Sequence, residues 1–210
     1  MANLITLARL LLLFVLLGLV HVAPPAWQVI DPLLLLVTIA LDGVDGYVAR
    51  MRGETSLFGA VADIVVDRIV DNALWISFAY LGLVPLWVAI AVVLRGTVTD
   101  QIRRVGVEEH GLTPFSLAES RFGKWIVGSR FVRALYGTFK AVTFAWLLAL
   151  PPWQALSPQT WAAWGTPAQL LTHFLVAATA ALCLLRGLPV VTDFLVVCGA
   201  SAWRRRPAEA

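Results

Sequence analysis

LDGVDGYVARMRGETSLFGAVADIVVDRIVD, residues Leu41 to Asp71, concentrates acidic residues in an otherwise apolar chain. It holds six of the thirteen acidic residues of the chain, and all but Glu54 are Asp. Asp42 and Asp45 are three apart and share a helix face. Asp63, Asp67 and Asp71 repeat every four and mark one face of a second helix. The sequence around them is apolar. Ionisable groups in or beside a bilayer are costly and point to function. Five carboxylates there call for a counter-charge, and hard oxygen ligands suit a divalent metal ion.

Composition sets the class. The chain has 210 residues, 60% of them hydrophobic and only 14% charged, with a mean hydropathy of +0.81. So little charge does not fit a soluble domain of this size, and residues 1–210 read as one all-α, polytopic membrane domain. Cys183 and Cys198 lie in apolar sequence without metal-ligand neighbours and read as inert buried thiols. The first apolar run lacks a basic leader and a convincing cleavage site, so it reads as a membrane helix rather than a signal peptide.

Apolar runs of about 20 residues can span a bilayer as helices. Six are expected: residues 3–22, 32–50, 57–80, 85–103, 124–150 and 168–197, the last with a possible kink at Gly187 and Pro189. The connections 23–31, 81–84 and 151–167 contain no Lys or Arg. By the positive-inside rule both termini and the connections 51–56 and 104–123 are cytoplasmic. Trp27, Trp153, Trp161 and Trp164 then form an aromatic belt at the opposite interface. The short turn 51–56 makes the second and third helices neighbours, so their Asp faces can converge. Gly43, Gly46, Ala49, Gly59, Ala60 and Ala62 accompany them. Such small residues let membrane helices pack closely; Gly46 and Gly59, each near an Asp, would also leave room for a ligand.

Written as a pattern, the stretch is Asp42-Gly-Val-Asp45-Gly46-Tyr-Val-Ala49-Arg50, eight further residues, then Gly59-Ala-Val-Ala-Asp63-Ile-Val-Val-Asp67. This resembles the signature of the CDP-alcohol phosphotransferases at every defining position, and the expected six-helix body resembles theirs over nearly the whole chain. The resemblance implies an enzyme of phospholipid biosynthesis. An acceptor hydroxyl attacks the pyrophosphate of a CDP-linked lipid, CMP leaves and a phosphodiester forms. It further implies magnesium or manganese, two ions, held by Asp42, Asp45 and Asp63. Asp67 would join that site and accept the acceptor's proton. Asp42, Gly46, Ala49, Arg50 and Gly59 would shape the CDP site, with Arg50 a phosphate partner. The implied partners are CDP-diacylglycerol, a polar alcohol acceptor, membrane lipids and a second copy in a homodimer, with no nucleic acid. The implied place is the cell's inner, cytoplasmic membrane, with the site on the cytoplasmic side. Asp71 stands outside the signature and reads as structural, with Arg68 a candidate partner.

The acceptor is approached through the basic residues of the second half. Arg130, Arg133 and Lys140 fall within the fifth expected helix, and Arg133 and Lys140, two turns apart, share a face. Cations at that depth should face an interior cavity, where they would suit an acceptor's phosphate. Asn3-Leu-Ile-Thr6-Leu-Ala-Arg9 is similar to the opening of phosphatidylglycerophosphate synthases, and Gly123-Lys124 to a Gly-Lys in their later loop. Asp67-Arg68-Ile-Val-Asp71 is more like bacterial phosphatidylinositol phosphate synthases. The balance leans to glycerol 3-phosphate, with inositol phosphate or another alcohol as the alternative. Glu108, Glu109 and His110 read as solvated loop; His21 and His173 lie too far from the carboxylates to act there. A non-catalytic metal-binding or transport protein is the rival from another class. It needs polar groups through the bilayer's depth, and the outer helix halves offer only scattered Thr and Ser.

Overall fold

The computed structural model describes residues 2–52, 57–110 and 129–204, and every element among them is helical. The helices are α1 (Ala2–Val22), α2 (Pro25–Gln28), α3 (Asp31–Arg52), α4 (Leu57–Tyr80), α5 (Leu86–His110), α6 (Arg130–Leu156) and α7 (Pro158–Arg204). Among the described residues, four apolar segments are long enough to cross a membrane: Ile5–Val22, Pro25–Gly43, Phe131–Leu156 and Pro158–Val196. The other two expected spans, α4 and α5, have the length but too much charge: Asp63, Asp67, Arg68 and Asp71 on α4, Arg95, Asp100 and Arg103 on α5. Large apolar side chains stay on the outside of the helices, among them Leu11, Phe14, Leu33, Leu170 and Phe174. In water such a surface would be a liability; against lipid tails it is the stable one.

The chain's contacts gather into two bodies. The first comprises Met1–Ala89 and Phe139–Ala177 and the second Ile90–Thr138 and Ala178–Ala210. In the first, α1 packs against α3 and α4. Its buried side chains Thr6, Arg9, Leu13, Leu16 and Val20 recur at steps of three and four, the stripe a helix needs to cover one face. Trp75 and Phe78 of α4 are fully buried and meet Phe144 of α6 edge-on, at ring separations of 5.2 and 5.3 Å. The indole N–H of Trp146 donates to Thr172 Oγ1 at 2.9 Å, tying α6 to α7.

Helix ends are closed by local chemistry. The Gln28 amide donates to the carbonyls of Leu19, Val20 and Ala23 at the C-terminal end of α1, sharing Leu19 O with the backbone N–H of Ala23. After α4 the chain turns at Gly82, whose φ of 72° is open to glycine at little cost; Leu83 N donates to Phe78 O across that turn.

Three expected boundaries are corrected. The connection expected at 151–167 shrinks to Ser157: α6 runs through Pro151 and Pro152 to Leu156, and α7 starts at Pro158. Pro158 at the first helical position gives up no hydrogen bond that a helix would make there. Trp153 Nε1 donates to Thr160 Oγ1 at 3.0 Å, and Thr160 Oγ1 donates to Ser157 O, which locks the corner. The fourth expected helix ends at His110 rather than Arg103, carried on by good helix formers such as Arg104, Glu108 and Glu109. Residues 111–123 of the expected cytoplasmic connection, and 53–56 of the earlier turn, lie outside the described residues. Beyond Ala168, where the last helix was expected to begin, α7 is continuous through Gly187 and Pro189.

In the second body Gly187 is buried against Arg95 of α5. A Cβ there would lie 2.7 Å from both Cγ and Nε of that arginine. The Arg186 guanidinium lies 5.1 Å from the Tyr136 ring centre. Cys183 is a free, buried thiol, as its apolar surroundings imply.

Candidate active site

The site is built where α1, α3 and α4 meet in the first body. Asp42 comes from α3, and Asp63 and Asp67 come from one face of α4, one turn apart. Between them enters Arg9, from the buried stripe of α1. Its Nη2 lies 2.6 Å from Asp42 Oδ1, and its Nη1 donates to Asp63 Oδ1 at 2.8 Å. Nη2 is also 3.9 Å from Asp67 Oδ1. One guanidinium thus joins carboxylates of two helices, the forked, charge-assisted geometry for which arginine is suited.

Burial is uneven across this cluster. The Arg9 side chain is 3% exposed, whereas those of Asp42, Asp63 and Asp67 are 45%, 48% and 49% exposed. The cation therefore approaches from the closed side, and the carboxylates open outward. Arg9 Nε is buried without a hydrogen-bond partner, an arrangement that costs stability.

One turn beyond Asp67, the buried Asp71 receives hydrogen bonds from Lys140 Nζ on both oxygens, at 2.7 and 2.8 Å. Lys140 of α6 is thus an ion-pair partner of Asp71 that the sequence reading, which named Arg68, did not include. Lys140, expected among the acceptor-binding cations, is drawn into this pair. Arg133 is exposed, in the second body. Gly59 is half-buried within α4. The backbones of Asp45, Gly46, Ala49, Arg50 and Arg130 are helical, and their side chains lie outside the described residues. His21 belongs to another neighbourhood: its Nε2 is 3.2 Å from Ser77 Oγ and its ring stacks edge-on to Tyr80. Twelve residues of α1, roughly 18 Å of helix, separate it from Arg9.

Arg9 is the residue that reading the acidic stretch overlooked. A signal was present: Arg9 falls on the same three-and-four stripe as Leu13, Leu16 and Val20, so a charge there must turn inward. An inward cation in the N-terminal half of α1 then needs anions, and the only dense supply in the sequence is Leu41 to Asp71.

Among the described residues, no three His, Cys, Asp or Glu side chains form a ready metal-binding group; the carboxylates are gathered on Arg9 instead. Their chemistry fits a divalent ion nonetheless. Three carboxylates and one guanidinium leave two formal negative charges, the donors are hard oxygens, and half of each acidic side chain is open to the surroundings.

A helical membrane chain with a carboxylate centre shared by neighbouring helices defines the class: an integral-membrane protein built around an acidic polar site. Residues 1–185 match the CDP-alcohol phosphatidyltransferase family, and the chain belongs to that family. It is 36% identical over 88 residues to an archaetidylinositol phosphate synthase of Aeropyrum pernix, covering 40% of this chain and 45% of that protein. A protein of the same name from Pyrococcus horikoshii is 28% identical over 126 residues, 60% of this chain and 65% of its own. The CDP-diacylglycerol–glycerol-3-phosphate 3-phosphatidyltransferase of Mycoplasma pneumoniae is 27% identical over 110 residues, 52% and 47% of the two chains. The matched stretches thus span about half to two thirds of these relatives' lengths.

Proposed function

We propose that the chain transfers a phosphatidyl group from CDP-diacylglycerol to the hydroxyl of a small phosphorylated polyol, releasing CMP. The observation that carries this reading is the convergence of Asp42, Asp63 and Asp67 across α3 and α4, within the full family signature. The acceptor oxygen forms a bond to the phosphorus bearing the lipid. The bond from that phosphorus to the bridging oxygen breaks, and its electron pair leaves with CMP. Asp67 takes the proton of the acceptor hydroxyl. Arg50 pairs with the donor's phosphates, and Gly46, Ala49 and Gly59 leave room for the CDP group beside Asp42. Asp42, Asp45, Asp63 and Asp67 would hold magnesium or manganese, as two ions. When bound, these ions neutralise the pyrophosphate and acidify the incoming hydroxyl. Positioning and charge stabilisation supply most of such a transfer.

The topology that goes with this activity has six spans and both termini in the cytoplasm. It places the site at the cytoplasmic side of the inner membrane, in a homodimer. Arg130, Arg133 and Lys140 are assigned to the acceptor's phosphate on their spacing along one helix, Lys140 with Asp71 as its standing partner. Glycerol 3-phosphate is favoured by the chain's opening and by Gly123-Lys124. Inositol phosphate is supported by the Asp67-to-Asp71 segment and by the names of two relatives.

The test is identification of the lipid formed from CDP-diacylglycerol by the purified chain with glycerol 3-phosphate, inositol phosphate, inositol or serine. A product from one of the phosphorylated acceptors alone is expected, with Arg133→Ala raising the KM of that acceptor more than that of the donor. Preference for uncharged inositol or serine would overturn the assignment of the acceptor class.

A further inference from the structure

The geometry points to Arg9 as a positioning residue for metal binding: from the closed side of the site it holds Asp42, Asp63 and Asp67 so that they face a divalent ion together. This rests on the reading of those carboxylates as metal ligands. Carboxylates on separate helices repel one another, and nothing in α3 or α4 alone would bring Asp42 and Asp63 together. Arg9 does so by giving one N–H arm to each, with Asp67 within 3.9 Å of the arm that meets Asp42. Its backbone is fixed by Leu13 and Leu16, both 1% exposed, on the same stripe of α1.

Two roles are open to a cation in such a place. It could occupy the metal's own position and compete with it, or it could brace the ligands from behind. Burial decides. The guanidinium lies on the inner side and meets each carboxylate at Oδ1, whereas the acidic side chains are half open on the other side. An ion arriving from the exposed side meets ligands already gathered and does not have to expel the arginine. Such outer partners orient the ligands, and losing one typically weakens metal binding 10- to 100-fold. Charge alone would not substitute, since an ammonium is a point and cannot span two carboxylates with fixed geometry.

The experiment is a Mn²⁺ titration of the full chain in lipid nanodiscs, with free Mn²⁺ followed by electron paramagnetic resonance. The proteins compared are wild type, Asp63→Asn, Arg9→Gln and Arg9→Lys. Wild type is expected to bind Mn²⁺ and Asp63→Asn to lose that binding. Arg9→Gln should bind roughly 10- to 100-fold more weakly, and Arg9→Lys should also be weakened although it keeps the charge. Should Arg9→Gln fail to fold, Arg9→Lys carries the test. Unchanged affinity in both Arg9 variants, with binding still lost in Asp63→Asn, would overturn the role of Arg9 alone. Tighter binding in Arg9→Gln would make the guanidinium a competitor, and full affinity in Arg9→Lys would make it a mere charge. No Mn²⁺ binding by wild type, or binding indifferent to Asp63→Asn, would remove the metal-site reading and this inference with it.

Discussion

Asp67 and Asp63 sit one turn apart on α4, yet the proposed reaction asks different things of them. Arg9 donates to Asp63 at 2.8 Å, whereas Asp67 lies 3.9 Å from the same guanidinium. Asp67 is thus the less firmly held of the two, which suits the proton-accepting role proposed for it. Replacement by Asn keeps its size and removes its basicity. Asp67→Asn should therefore lower turnover by about 10²–10⁴-fold, the usual contribution of a general base, while CDP-diacylglycerol binding persists. Asp42→Asn or Asp63→Asn should weaken metal and donor binding as well. Turnover by Asp67→Asn at the wild-type rate would dismiss it as the base. The acidic residues were legible in sequence because helical periodicity alone puts them on faces. Arg9 was harder, since one cation in an apolar run announces neither its partner nor its depth.

At the scale of elements, the pair Lys140–Asp71 ties α6 to α4 beside the site. Removing one member leaves a buried charge uncompensated, at a typical cost of about 3–5 kcal/mol. Lys140→Met should therefore be strongly destabilising, and Asp71→Asn combined with Lys140→Met less so than Lys140→Met alone, by thermal unfolding in detergent. A double variant less stable than the single would show that the charges are not coupled. Gly187 makes a separate case. Because Arg95 lies across it, Gly187→Ala has to push that side chain aside, with an expected loss of about 1–3 kcal/mol; an unchanged melting temperature would show that Arg95 yields freely. The ends of α3 and α4 came from sequence to within two residues, since turns and charges mark them. The corner at Ser157 did not. A stretch with four prolines and three tryptophans between residues 151 and 167 reads as a loop until side-chain bonds such as Trp153 to Thr160 are seen.

Over the whole chain, long apolar helices accompany one small acidic centre in the first body. An acidic site in such a chain can act on a donor whose tails remain in the bilayer while its pyrophosphate reaches the carboxylates. Hydropathy made the membrane class legible, but charge works against it locally: Asp63, Asp67, Arg68 and Asp71 leave α4 outside the apolar segments long enough to cross a membrane. The measurement that tests the central claim most directly is CMP release from CDP-diacylglycerol by the purified chain, with and without magnesium and a phosphorylated polyol. Release that requires both, and that disappears in Asp63→Asn, is the expected result. Protein that binds CDP-diacylglycerol, yet releases no CMP with glycerol 3-phosphate or inositol phosphate, would contradict it.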